Sequence, residues 1–190
     1  MKGLKYFILL VTALSCFPAE SFSQLKKHDS AFEKGIILFD LHTSIGLYKD
    51  RNFLTTRAPI FIEADYGVGD NVGLGVFAGW NQRTFKDPGQ PQFDVNFYYY
   101  GAQFSLHATR WLGEHTILKF NPQKVDTYLK IWAGQQHSNS INFGNGVSAN
   151  KTILVGMIGA RIYTMYNVGV MVEIGPGQYG LINVGICGRI

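Results

Sequence analysis

His137-Ser138-Asn139-Ser140 holds the residue types of an acyl-transfer site. An imidazole activates a hydroxyl only when the two groups reach each other. On an extended chain, residues two apart share a face and neighbours oppose one another. Ser138 follows His137 directly, and Asn139 stands where the hydroxyl would be needed. The segment is therefore read as a polar entrance to a loop. Gly73-x-Gly75-x-x-Ala78 matches a dinucleotide fingerprint on paper. That fingerprint requires a strand before it and a helix after it, whereas these glycines lie inside one alternating run, so no nucleotide site is expected. His42 and His107 share the parity of Asp40, Glu63 and Asp65 within their runs. A metal would find ligand types there but no tight ligand spacing, and an interior hydrogen-bonded and ionic network is expected instead. Asn150-Lys151-Thr152 has the form of a glycosylation acceptor and is read as chance. No catalytic, cofactor-binding or metal-binding residue is assigned, and the chain is expected not to be an enzyme.

The elements that position these residues alternate with period two. Ile37, Phe39, Leu41, Thr43, Ile45 and Leu47 oppose Asp40, His42, Ser44 and Gly46. Ile60, Ile62, Ala64 and Tyr66 oppose Phe61, Glu63, Asp65 and Gly67, and the run closes on Gly69-Asp70-Asn71. Val72–Asn81 and Tyr98–Thr109 repeat the pattern, as do Val125–Gly134, Leu154–Tyr163, Val168–Gly175 and Leu181–Ile190. Eight such runs predict eight antiparallel strands with both chain ends on one side. Tyr48–Ala58, Arg83–Phe93 and His137–Lys151 are long and polar and are expected to be loops. Gly67–Asn71 and Thr164–Asn167 are expected to be tight turns. Trp111–Lys124 is longer than that alternation asks for, and Pro176–Tyr179 is shorter.

The second face of each run decides the environment. A water-facing strand usually carries Lys, Glu, Thr and Ser. Here that face is rich in glycine, with aromatics and scattered charges: Asp40, Glu63, Asp65, Asp126 and Glu173 against Lys130, Arg161 and Arg189. No charge falls on the apolar parity of the strand cores. Such a charge at mid-bilayer would cost roughly 2–4 kcal/mol for Lys or Arg. The chain has 22 glycines, 14% aromatics and only 16% charged residues. Tyr48, Tyr66, Trp80, Tyr98, Trp111, Tyr163 and Tyr166 fall near run ends, where interfacial girdles sit. An all-β, eight-stranded, up-and-down antiparallel transmembrane β-barrel follows, its apolar parity on lipid and its glycine-and-charge parity in the lumen. Net charge is only +4, and no Lys/Arg cluster forms a nucleic-acid face.

Lys2 and Lys5 precede the apolar run Tyr6–Phe17, and Ser21-Phe22-Ser23 offers small residues for cleavage. This is the tripartite plan of a secretory signal, too short for a membrane anchor. Residues 1–23 are expected to be a signal peptide and residues 24–190 the barrel domain. A lipoprotein signal ending at Cys16 is the rival, but Ala13 stands where a branched aliphatic is usual. Cleavage would remove Cys16 and leave Cys187 alone, so no internal disulfide is expected.

Asp65–Gly79, Gly159–Gly175 and the closing Asn183–Ile190 together resemble the small outer-membrane β-barrel domain family of Bacteroidetes-type bacteria, related in architecture to the OmpA and OmpX barrels. Ile190 takes the final place, where such strands often carry an aromatic. The likeness spans residues 24–190 as a style of sequence. It implies fold and outer-membrane location, with lipids, lipopolysaccharide and the barrel-insertion machinery as partners, and it transfers no catalytic residue. Lipid A deacylases of similar architecture place His and Ser two apart, unlike His137 and Ser138. An eight-stranded interior is just wide enough for side chains to fill. Phe77, Tyr128, Trp132, Met157 and Arg161 pointing inward predict no open channel. The expected role is structural, or surface interaction through 48–58, 83–93 and 137–151. The alternatives are a narrow channel or small apolar-ligand barrel, a lipid A-modifying enzyme, and a secretion-apparatus subunit.

Overall fold

The computed structural model describes residues 30–46, 53–86, 92–109, 111–112, 121–140, 148–165, 167–176 and 181–190. The expected signal peptide, 1–23, lies outside them, as do Tyr48 and Tyr166. Eight strands form one closed antiparallel barrel in sequence order. They are β1 (Ile37–Ile45), β2 (Phe53–Gly69), β3 (Val72–Phe85) and β4 (Phe93–His107), then β5 (Val125–Ser140), β6 (Ser148–Tyr163), β7 (Val168–Ile174) and β8 (Ile182–Arg189). Closure comes from β1 pairing with β8, from Leu38 opposite Arg189 to Ile45 opposite Ile182. Each strand is hydrogen-bonded on both sides through its central part, so the barrel removes the free edges that lipid cannot satisfy.

The parity read from the sequence is the parity of the fold. Outward positions such as Ile62, Val76, Ile158 and Ile174 are exposed, and Leu154 reaches 77%. Inward positions are buried, including Lys130 and Arg161 at 0%. This inverts the arrangement of a water-soluble domain, in which Lys and Arg are almost never fully buried and large aliphatics fill the core. Tyr163 follows the inward parity and is buried against Met171 and Cys187, so its expected place in an outer aromatic girdle is corrected. Leu181, expected to point inward, precedes β8 and is exposed.

The strands reach into all three expected loops, 48–58, 83–93 and 137–151, which is a correction to their bounds. β2 begins at Phe53, β3 runs to Phe85, β4 starts at Phe93, β5 continues to Ser140 and β6 begins at Ser148. Backbone pairing continues through these ends, from Phe53 opposite Phe85 and from Val95 opposite Ser140, and Val95 and Phe97 turn inward to the apolar cluster of the lumen while Asp94 and Asn96 alternate with them. Pro59, which cannot donate to the ladder, sits in the irregular stretch of β2 between Arg57 and Ile60.

The wall is uneven in height. β2 pairs with β1 only from Ile60 to Tyr66, although its pairing with β3 begins at Phe53. β6 pairs with β7 only from Ile158 to Tyr163, although its pairing with β5 begins at Ser148. Among the described residues, Phe53–Thr55 and Arg57 of β2 and Ser148–Met157 of β6 are thus paired on one side only. β7 is cut short by Gly175-Pro176, and Gly175 N donates to Leu181 O at 3.0 Å.

At the end that carries both termini, the β2–β3 turn is tight, at Asp70-Asn71. The long β4–β5 connection has a purpose there. Its Pro122 carbonyl accepts from Ala31 N at 2.6 Å. Ser30–Ile36 folds beneath the barrel as a strap that the sequence reading did not foresee. Gly35 takes φ 86° at the corner and donates to Gly67 O at 2.8 Å. Phe32 lies flat on His107, with ring centroids 3.4 Å apart.

Candidate functional site

The lumen is where the buried charged side chains of the described residues converge, and it falls into three layers. Nearest the strap, Arg161 of β6 donates through Nη2 to Asp40 at 2.6 Å and through Nη1 to Asp126 at 2.8 Å. Asp126 lies 2.8 Å from His107 Nδ1, and His107 Nε2 lies 2.9 Å from Ser105 Oγ. Ser105 donates to Asp65 Oδ2 at 2.5 Å. The Arg161 guanidinium also stands 4.0 Å from the centre of the Tyr128 ring.

In the middle layer Lys130 of β5 is gripped by two carboxylates. It donates to Glu63 at 2.6 Å and to Glu173. His42 Nε2 lies 2.7 Å from Glu63 Oε1. Tyr128 OH donates to Glu173 at 2.8 Å, Asn183 Nδ2 to Glu173 at 3.0 Å, and Ser44 Oγ to Asn183 at 2.6 Å. Beyond it comes an aromatic and aliphatic layer of Phe61, Phe77, Tyr99 and Trp132 with Ile153 and Val155. Trp132 stacks on Phe77 at 4.3 Å and meets Phe61 at 5.1 Å. Glycine makes the packing possible at two points. A Cβ on Gly79 would enter the Phe61 ring, and one on Gly159 would stand 2.6 Å from Tyr128 Cζ.

The expected interior network is therefore present, and it joins Asp40, His42, Glu63, Asp65 and His107. The sequence reading missed Ser44, Tyr128 and Asn183 as members because their types carry no charge signal. His42, Glu63 and Glu173 bring ligand atoms within 4.8 Å of one another. The Lys130 ammonium already bonds both of those carboxylates, so an internal cation does the work a metal would do. Ser105, His107 and Asp126 repeat the contact order of a hydrolytic triad; Ser105 and His107 stand two apart on β4, the spacing that puts both on one face, and Asp126 joins them from β5 only in the sheet. Yet the Ser105 proton is directed to Asp65, away from the imidazole, and Phe32 covers the ring. The arrangement works as a structural relay between two carboxylates. His137 and Ser138 lie on β5, not in a loop, and point to opposite faces. His137 Nδ1 meets Asn150 Oδ1 at 2.7 Å, and Ser138 Oγ donates to Ala149 O at 3.3 Å.

No family model matches the chain, and no curated protein matches it. Among solved structures, the N-terminal β-barrel domain of OprF from Pseudomonas aeruginosa aligns with TM-score 0.50 and 13% identity, over 83% of this chain and 98% of that one. The outer membrane protein OprG from the same organism aligns with TM-score 0.50 and 13% identity, over 85% of this chain and 99% of that one. At such identity the likeness is one of fold. The chain has the eight-stranded barrel architecture of small outer-membrane proteins.

Proposed function

We propose that the chain is a bacterial outer-membrane protein, exported by residues 1–23, whose sealed barrel carries a projecting sheet for surface interaction. The strap end faces the periplasm, and the upper parts of β2–β6 stand outside the cell. The uneven wall carries this reading. Five strands run on beyond β7, β8 and β1, and both flanks of that projection have backbone groups paired on one side only. Such edges accept an added strand through main-chain hydrogen bonds. Their side chains near the top, Asn150, Lys151 and Thr152, are polar enough for water. The ion-paired and aromatic layers across the lumen support a barrel that does not conduct. Lipids and lipopolysaccharide surround the apolar belt, and the barrel-insertion machinery assembles it.

Asn150→Cys tests the placement. A membrane-impermeant maleimide should label it on intact cells. Labelling only after the outer membrane is permeabilised would reverse the orientation. In planar bilayers the purified protein should give no steady conductance, and stable channel openings would replace the sealed barrel with a pore.

A further inference from the structure

The outer face of β3–β6 changes chemistry at one level. Trp80 pairs with Tyr98, Tyr98 with His137, and His137 with Asn150, so the four form one row across the wall. The row has the outward parity, and Tyr98 is 43% exposed. Nearer the strap, the same face of β4, β5 and β6 carries Ala102, Ala133 and Leu154, all exposed and apolar. Farther from the strap stand the amides Gln82, Asn96 and Asn139, again in one row. On the opposite wall β7, β8 and β1 reach no farther than Ile174, Ile182 and Ile45, still apolar and exposed. Charge is uneven too. At the end away from the strap Arg57, Lys86 and Lys151 are exposed, and Asp94 is the only acid there among the described residues. Asp94 is already engaged, by Gln82 Nε2 at 3.0 Å and by Thr84 Oγ1 at 2.7 Å.

An interfacial girdle accounts for Trp80, Tyr98 and Tyr100. It does not account for the amides and the cation set beside them. The Arg57 guanidinium stands 5.7 Å from the centre of the Trp80 ring. His137 Nδ1 lies 2.7 Å from Asn150 Oδ1. That oxygen can only accept, so the imidazole donates there and its Nε2 is left to accept. An aromatic face packs on the C–H face of a sugar ring, amides and an accepting nitrogen suit its hydroxyls, and a guanidinium forks onto phosphate. We infer that this face is a glycolipid site. The acyl chains lie along Ala102, Ala133 and Leu154, and the phosphorylated sugar headgroup rests on Tyr98 between Arg57 and His137. Those two residues stand three strand spacings apart, about 14 Å, a span for a disaccharide bearing phosphate. The occupant is a lipid because the polar rows continue an apolar surface without a step. A phosphatidyl headgroup without sugar would leave the amides and the rings unused. The inference rests on the outward placement proposed above.

The purified protein is placed in nanodiscs of diphosphoryl lipid A and phosphatidylglycerol in equal amounts, and native mass spectrometry counts the lipids that stay with it. Lipid A should be retained in preference to phosphatidylglycerol. Arg57→Gln/His137→Ala should cut that preference about tenfold, the factor carried by one charge-assisted hydrogen bond. Lys34→Gln, at the strap end, should leave it unchanged. Equal retention of the two lipids by the parent protein overturns the site. So does a preference that the double variant keeps, or one that Lys34→Gln lowers as much. Heat-dependent gel mobility checks that each barrel is folded, and should the double variant not fold, Arg57→Gln alone is read in the same way. A nanodisc exposes both ends of the barrel, so this count stands or falls separately from the Asn150→Cys labelling that tests the outward placement.

Discussion

At the residue scale, the lumen depends on matched charges without solvent. Arg161 is the most connected member, satisfying Asp40 and Asp126 at once. Arg161→Met would leave Asp40 buried without its cation and Asp126 with His107 alone. Breaking one side of a buried pair costs about 3–5 kcal/mol, so urea unfolding in detergent should show a loss of that order. Neutralising both acids as well, in Asp40→Asn/Asp126→Asn/Arg161→Met, should recover much of the loss, because a buried charge is worse unpaired than absent. A second residue-scale expectation concerns space. Gly159→Ala would press on Tyr128 and Glu173, both bonded into the Lys130 group. Overpacking costs typically 1–3 kcal/mol, and the same unfolding measurement should read it. An unchanged midpoint would mean that the Tyr128 ring can yield.

At the element scale, the strap and the projecting strands have opposite relations to stability. Ser30–Ile36 touches β4 through Phe32, the β4–β5 connection through Ala31, β8 through the Arg189–Ser30 bond and β2 through Gly35. It ties together strands far apart in sequence. Phe32→Ala should lower unfolding stability by about 3 kcal/mol, near the lower end for loss of a buried Phe, and should raise hydrogen exchange at the strap-side ends of β4 and β8. Equal exchange in variant and parent would show that the strap merely rests on the barrel. The projecting ends should be dispensable for folding. Replacing residues 139–149 by a two-residue turn should preserve the heat-dependent gel shift. A chain that then failed to fold would show the extension to be part of the barrel's nucleus and not an addition to it.

At the scale of the whole molecule, the inverted distribution of apolar and charged side chains demands a nonpolar surrounding medium. Ile62, on the outer face of β2, is 60% exposed. In water Ile62→Arg would be neutral or helpful. In a bilayer a mid-depth arginine costs roughly 2–4 kcal/mol. Folding yield into vesicles should fall accordingly, and an undiminished yield would place this face in water. The barrel solves one problem twice. Closing the sheet satisfies the backbone in lipid, and pairing the charges inside satisfies the side chains that closure traps.

The strand count, the inward and outward parity and the expectation of a polar interior were legible in residues such as Asp40, Glu63, Lys130 and Arg161, because alternation is a local property and lipid enforces it at every strand. The extent of β2–β6 was legible only in part. Phe93, Val95 and Phe97 do alternate with Asp94 and Asn96, a signal the reading of 83–93 as a loop passed over, whereas Ser148–Thr152 is polar on both faces and is marked as strand only by the neighbour it pairs with. The same holds for the site. Lys130 between Glu63 and Glu173, Ser105 upon Asp65, and Phe32 upon His107 join positions far apart in the chain. Their distances follow from the register between strands and from closure, which are set by the packing of the whole barrel. Sequence alone determined which residues face inward; the tertiary structure decided which of them meet, since pairing across a closed sheet is a global constraint that no local pattern encodes.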